Sequence, residues 1–197
     1  MEVVLATGNP GKVREIQQVL SDLGITIHPQ SQYNVPEAEE TGLSFVENAI
    51  IKARNAAKHT GLPAIADDSG IEVDFLKGQP GIYSSRYAGE NASNQDNNAK
   101  LLNALQGVEA ENRLARFQCV IVFLTHETDP TPQIFQGTWE GSIAESASGT
   151  QGFGYDPLFI VPGFNCTAAE LPTDTKNQIS HRAQALLKLK TTLTTEY

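Results

Sequence analysis

At 197 residues the chain is long enough for one domain, or for two lobes sharing an interior, and for a substantial buried core. Its 40% hydrophobic and 19% charged content is that of a soluble globular protein, and no apolar run reaches the length that spans a bilayer. A formal net charge of -9 repels nucleic-acid backbones and anionic membranes, so neither is an expected partner, and a phosphate-bearing ligand has to be met by a local positive pocket or a metal.

The chain enters Val3-Val4-Leu5-Ala6 with no basic segment before it, so no signal peptide is expected. Cys119 and Cys166 each stand alone, without a CxxC pair or a histidine at metal spacing, which reads as two reduced thiols of a cytosolic protein. Strand-like and helix-like segments alternate, so the class is α/β or α+β.

Val3 to Thr7 reads as a buried strand, and Lys12 to Leu20 as an amphipathic helix. Between them Thr7-Gly8-Asn9-Pro10-Gly11-Lys12 is a strand–turn–helix junction with two glycines and a lysine, suited to a turn or to a phosphate cradle at a helix N-terminus. It lacks the GxxxxGK[ST] spacing of a Walker A loop. Ile25 to His28 reads as a second strand, with His28 at the surface, and an acidic loop with Glu37, Glu39 and Glu40 follows. Leu43 to Thr60 is the clearest helix, capped by Thr41 or Ser44 and ended by Gly61. Phe45, Val46, Ala49, Ile50, Ala53, Ala56 and Ala57 share one arc of it. Asn48, Lys52, Asn55 and His59 form a strip beside that arc, where Lys52 either snorkels or reaches into a cleft.

Ala64-Ile65-Ala66-Asp67-Asp68-Ser69-Gly70 reads as a buried strand ending in two carboxylates. Asp-Ser-Gly is ordinary turn chemistry, but paired acids also hold a hard cation or take a proton from water. Ile71 to Phe75 alternates as a separate strand with a wet face. Ile82 to Gly89 reads as a polar aromatic loop in which Arg86 meets a phosphate or stacks on a tyrosine. Ser93 to Gln106 is a helix with Leu101, Leu102 and Leu105 inward. Phe117 to Leu124 is a long buried strand, and Gln133 to Trp139 pairs with it, Trp139 serving the core or a dimer contact. Ser148 to Pro157 is a glycine-rich loop that suits either a bulge or a flat aromatic laid over a base, with Asp156 offered to a base N–H. From Ala168 the pattern is helical in two pieces split near Pro172. Ser180-His181-Arg182 opens the last helix, Ile179, Ala183, Leu186, Leu187 and Leu193 form its apolar face, and Thr191 to Tyr197 is expected to fray. His181 and Arg182 run against the macrodipole there, which hints at a partner.

Six pieces in this order and spacing resemble the inosine triphosphate pyrophosphatase family. They are Thr7 to Lys12, Glu39-Glu40-Thr41-Gly42, Asn48-Ala49 with Lys52-Ala53, Asp67-Asp68-Ser69-Gly70, Gly152-Phe153-Gly154-Tyr155-Asp156-Pro157, and Ser180-His181-Arg182. Gln151, where a glycine is usual, and Pro172-Thr173-Asp174-Thr175, where a more acidic run is usual, depart from the pattern. The resemblance implies one domain over 1–197, an elongated mixed α/β fold with a central sheet flanked by helices, two lobes and an active-site cleft between them, usually as a homodimer. It implies Mg²⁺-dependent hydrolysis of non-standard purine nucleoside triphosphates (ITP, dITP, XTP) to the monophosphate and pyrophosphate, in the cytoplasm. Thr7, Gly8, Asn9, Pro10, Gly11 and Lys12 would hold the triphosphate, with Lys52 and Lys176. Asp68, with Glu39 or Glu40, would bind Mg²⁺, and Asp68 would accept the proton. Ser69 would touch the substrate. Phe153, in the loop with Gly154 and Tyr155, would stack on the base, and Asp156, His181 and Arg182 would bond its edge. A pyrophosphatase for other nucleotides such as modified pyrimidine triphosphates, a non-catalytic nucleotide-binding module, and a structural α/β domain whose motifs are turns are the competing readings.

Overall fold

The computed structural model describes residues 1–196 of the chain, and Tyr197 lies outside the described residues. Seven strands form one mixed sheet in the order β2-β1-β3-β4-β5-β6-β7. They are β1 (Glu2–Leu5), β2 (Thr26–Pro29), β3 (Ala64–Val73), β4 (Leu114–Leu124), β5 (Gln133–Ile143), β6 (Phe159–Val161) and β7 (Cys166–Thr167). The helices are α1 (Pro10–Leu20), α2 (Phe45–Thr60), α3 (Asn94–Ala104), α4 (Thr173–Ile179) and α5 (His181–Glu196), with short 3-10 turns between. β1 pairs in parallel with β2 and β3, and β6 pairs antiparallel with β5 and β7. The expected α/β class with a mixed central sheet is what the chain forms. The chain divides into two units: residues 1–68, 119–137 and 182 onward in the first, and 69–118 and 138–181 in the second.

In the first unit, strand alternation sorts the core into two layers. Val3, Leu5 and Ile65 pack with Ile16 and Leu20 of α1 and with Ala185, Leu186 and Leu189 of α5. Val4, Ala6, Ala64 and Ala66 face the other way, onto Ala49, Ala53, Ala56 and Ala57 of α2. These are small side chains on both sides, so the α2 backbone lies close to the sheet. Ser44 accepts from Glu47 N as the α2 N-cap, and Gly61, at φ 70°, closes the helix in the left-handed conformation that glycine adopts without steric cost.

The β4–β5 connection is held by one side chain. Asp129 accepts from Thr125 N at 2.9 Å, Thr125 Oγ1 at 2.8 Å and Thr131 N at 2.9 Å. The Thr125 and Thr131 amides bring its carboxyl down to about 2. A folded-state value below the unfolded one stabilises above the ordinary carboxylate range, and that contribution is lost as pH falls. The stability advantage of wild type over Asp129→Asn is therefore expected to hold from neutral pH to about 4 and to shrink as pH falls through about 2. Denaturant melts at pH 7, 4, 3 and 2 measure it, and a gap that does not narrow in acid counts against this account.

The second unit has its own core. Ile71 and Val73 of β3, Leu101 of α3, Leu105 that caps its C-terminus, Phe117, Trp139, Tyr155, Leu158 and Phe159 belong to it. Trp139 takes the core role, its ring 5.1 Å from that of Phe159. Ser93 and Asp96 form a reciprocal capping box at the start of α3. Arg113 is buried and donates to the carbonyls of Leu105, Val108, Ile143 and Ala144, tying the end of α3 to the end of β5.

Several elements differ from expectation. Ala64–Gly70 and Ile71–Val73 are one ten-residue strand, not a strand, a turn and a second strand. The buried acids have cationic partners, so nothing forces them to a strand end. Ala168–Leu171 is a turn after the short strand β7, because Ala168 N bonds back to Phe159 O, and helix begins only past Pro172. Gly81–Arg86 is a 3-10 helix in which Arg86 lies over the Tyr83 ring. His28 is not an isolated surface group: its ring nitrogens face Gln32 and Glu2. Leu187 is 64% exposed, since the buried stripe of α5 runs through Ala185, Leu186, Leu189 and Leu193 instead. The expected frayed tail is helical through Glu196.

Candidate active site

Asn9 is the N-cap of α1: its Oδ1 accepts from Gly11 N at 2.8 Å and Lys12 N at 3.3 Å, and Pro10 sits at the first helical position without an N–H. Thr7 Oγ1 in turn accepts from Asn9 N at 3.2 Å. The amides a phosphate would use at this helix start are thus already engaged by Asn9. Gly8 N makes no hydrogen bond among the described residues, and Gly8 is exposed.

Asp67 and Asp68 are neighbours on a strand, so their side chains leave on opposite faces. Asp67 points to the α1/α5 face. Its Oδ2 lies 2.8 Å from Lys12 Nζ and 3.6 Å from the Arg182 guanidinium. Arg182 also donates to Glu15 Oε2 at 3.0 Å. Burial by itself would raise the Asp67 carboxyl, but the charges of Lys12, Arg182 and Lys52 outweigh it and hold the group well below the usual carboxylate range.

Asp68 points to the α2 face. Its Oδ1 accepts from Lys52 Nζ at 2.7 Å, and the same ammonium is 3.0 Å from Glu40 Oε1. Burial pushes the Asp68 carboxyl up, Lys52 pulls it down, and the nearby Glu40 charge adds to the rise, leaving it raised. Burial opposes charge on Lys52 as well, but Asp68, Asp67 and Glu40 together raise its pKa. Two carboxylates share one ammonium here. The loop carrying Glu40 is fixed by Asn48, fully buried on α2, whose Oδ1 accepts from Gly42 N at 2.8 Å. A side chain at Gly42 would come within 2.5 Å of Glu47 Cβ, so only glycine fits. Glu39, next to Glu40, is exposed.

A divalent cation fits these residues by donor chemistry. Mg²⁺ takes one or two carboxylates and completes its shell with water and substrate phosphates. Asp68 is only 8% exposed, and its Oδ2 has no hydrogen-bond partner among the described residues. No group of three or more His, Cys, Asp or Glu side chains is gathered into an all-protein cage among the described residues.

In the second unit the glycine-rich loop folds around Asp156. That carboxylate accepts from Phe153 N at 2.8 Å and pairs with Lys176. Lys176 Nζ is 5.4 Å from the Phe153 ring centroid. Gly152 has φ 77°, and a Cβ there would overlap Asp156 Oδ2, so the turn requires glycine. Gly154 carries a positive φ and its carbonyl accepts from Asn98. Phe153 is 39% exposed at the loop tip. Tyr155 is turned inward, its hydroxyl donating to Ser84 O at 2.7 Å. The two departures from the family pattern meet: Thr173 Oγ1 donates to Gln151 Oε1 at 3.1 Å.

The structure therefore gathers Lys12, Glu40, Lys52, Asp67, Asp68 and Arg182 in the first unit, and Phe153, Asp156 and Lys176 in the second. Ser69, next on β3, is half-buried. His181 is buried, its ring stacked on Phe117 at 4.7 Å and 10°. Glu15 escaped the sequence reading: on an amphipathic helix it is one more polar residue, and its partner is 167 positions away.

Residues 3–192 match the model of the Ham1 family. The chain belongs to that family. A protein of Thioalkalivibrio sulfidiphilus named dITP/XTP pyrophosphatase is 63% identical over 94% of this chain and 95% of its own length. One of the same name from Vibrio parahaemolyticus is 61% identical over 95% and 94%. The solved HAM1 protein of Coxiella burnetii, at 53% identity, superposes with a TM-score of 0.95 over 99% of both chains. Membership of the Ham1 family agrees with the resemblance drawn from the six motifs. No helix among the described residues is long and apolar enough to cross a membrane.

Proposed function

We propose that the protein is a cytoplasmic, Mg²⁺-dependent nucleoside triphosphate pyrophosphatase that cleaves dITP, XTP and ITP to the monophosphate and pyrophosphate, removing deaminated purines from the nucleotide pool. The observation that carries it is Asp68, a buried carboxylate with one oxygen unpartnered and the other on a lysine shared with Glu40. The relatives' names and the family agree with it.

Triphosphate recognition we assign to Thr7–Lys12 and Lys52. Metal binding goes to Asp68 with Glu40, chosen over Glu39 because Glu40 shares the ammonium with Asp68. When bound there, a divalent cation would offset the charge of the phosphates and of the leaving pyrophosphate. Asp68 takes the proton of the water that attacks the α-phosphorus. Lys12 and Lys52 neutralise the phosphate oxygens. Lys176 stays with Asp156 and Phe153, where it steadies the base loop as well as adding positive charge.

Base recognition we assign to Phe153, as the stacking face, with donors from His181 and Arg182 at the start of α5 toward a 6-oxo group. Adenine offers an amino donor at that position, and each buried donor left unpaired costs about 1–3 kcal/mol. Phe153→Ala is expected to lower kcat/KM for dITP about 5- to 150-fold, mainly through KM, since stacking on a base contributes roughly 1–3 kcal/mol. Steady-state kinetics measure this, and an unchanged KM removes Phe153 from the base site.

The reaction is tested by incubating the protein with Mg²⁺ and dITP, XTP, ITP, ATP or GTP and separating pyrophosphate from orthophosphate. Pyrophosphate from the first three is the expected result. Orthophosphate release, or equal use of ATP, overturns the reading. The homodimer carried by the resemblance is tested by light scattering on the purified protein.

A further inference from the structure

Both Lys12 and Lys52, assigned to the phosphates, are paired with carboxylates in the structure, but the two arrangements are not equivalent. Lys12 lies on Asp67, and Asp67 also has Arg182 at 3.6 Å. If Lys12 turns to a phosphate, Asp67 keeps a cation. Lys52 lies on Asp68 at 2.7 Å and is the only ion-pair partner of Asp68 among the described residues. If Lys52 turns to a phosphate, Asp68 is left as a buried carboxylate without an ion-pair partner among the described residues, a state proteins avoid by bringing in another cation. Lys52 also lies 3.0 Å from Glu40 Oε1, so one ammonium ties both carboxylates. A divalent cation in its place would supply the counter-charge of Asp68, and the released ammonium would meet a phosphate.

We propose that Lys52 is the resident counter-ion of the metal-binding carboxylates and competes with the metal for them. Nucleotide phosphates draw Lys52 off Asp68 and Glu40, so the divalent cation is taken up together with the nucleotide and only weakly by the nucleotide-free protein. This rests on the pyrophosphatase reading above. It adds an order of assembly and gives Lys52 a second task besides binding phosphate. It also accounts for the polar strip on α2: Asn48 holds the Glu40 loop while Lys52, one helical turn on, bridges that loop to β3.

The test is a titration of Mn²⁺ into nucleotide-free protein, with free Mn²⁺ read by electron paramagnetic resonance. Wild type is compared with Lys52→Met and with Lys52→Gln, which keeps most of the stem and a polar tip. Both variants are expected to bind Mn²⁺ at least tenfold more tightly than wild type. Mn²⁺ is expected to raise their Tm while leaving that of wild type nearly unmoved. Adding Asp68→Asn to Lys52→Met should abolish the gain, which locates it at this carboxylate. Equal Mn²⁺ affinity in wild type and both variants overturns the proposal. So does tight, stoichiometric binding by nucleotide-free wild type, which decides the matter even if neither variant folds. These outcomes are read without turnover. Failure of the pyrophosphatase reading shows instead as wild type releasing no pyrophosphate from any purine nucleotide.

Discussion

Asp68→Asn is expected to lower pyrophosphate release from dITP by about a thousandfold or more, because one carboxylate serves as proton acceptor and metal ligand at once. The change is nearly isosteric. It removes the charge that burial penalises, and Lys52 keeps Glu40 as a partner at 3.0 Å. The fold should therefore survive, with Tm within a few degrees of wild type. Coupled pyrophosphate detection, together with a thermal melt on the same sample, gives both readouts. Activity above a tenth of wild type would remove Asp68 from the centre of the reaction, whatever the melt shows.

Asp67→Asn, one residue earlier, is expected to behave in the opposite way. Asp67 has a side chain of 0% exposure and sits between Lys12 and Arg182, the latter itself buried. Removing the shared carboxylate takes an ion-pair partner from Lys12 and another from Arg182, which keeps Glu15, and breaking a buried pair in this way costs about 3 kcal/mol or more. In a chain of this size that lowers Tm by roughly 6–12 °C. The pH dependence follows from the depressed carboxyl. A folded-state pKa below the unfolded one gives stability that is full above the ordinary carboxylate range and declines as pH falls toward the folded value. The gap between wild type and Asp67→Asn should stay constant from neutral pH down to about 4 and close only in stronger acid. Chemical denaturation across that range tests it. A variant as stable as wild type at pH 7 would show that Lys12 and Arg182 do not depend on Asp67.

These adjacent residues also mark how far the linear chain could be read. The core was legible because apolar periodicity reports directly on burial. The seven residues placed on one arc of α2 all pack in the layer against Ala64 and Ala66, and the capping residues Ser44 and Ser93 stand where helix-start chemistry puts them. The six motifs were legible as an ordered set, since short segments keep their residue types whatever their distant neighbours do. Three segments were misread for a common reason. Gly70 and the acids looked like a strand end, Ala168–Leu171 looked helical, and Leu187 looked buried. In each, local preference was overridden by a partner elsewhere in the chain: the lysines, the Phe159 carbonyl, or the stripe that α5 actually buries.

The division of labour between the two aspartates lay beyond any local pattern. Residue order says only that neighbouring strand positions face opposite ways. Which face holds what depends on Lys12 and Arg182 arriving at one side of β3, and Lys52 and Glu40 at the other, from points up to 115 positions away. Composition, periodicity and motif order are properties of the chain and were enough for the α/β class and the family. Charge pairing is a property of distance in space, set by how helices α1, α2 and α5 pack on the sheet. Only the folded molecule decided that Asp67 is the anion set between Lys12 and Arg182, and Asp68 the carboxylate that shares Lys52 with Glu40.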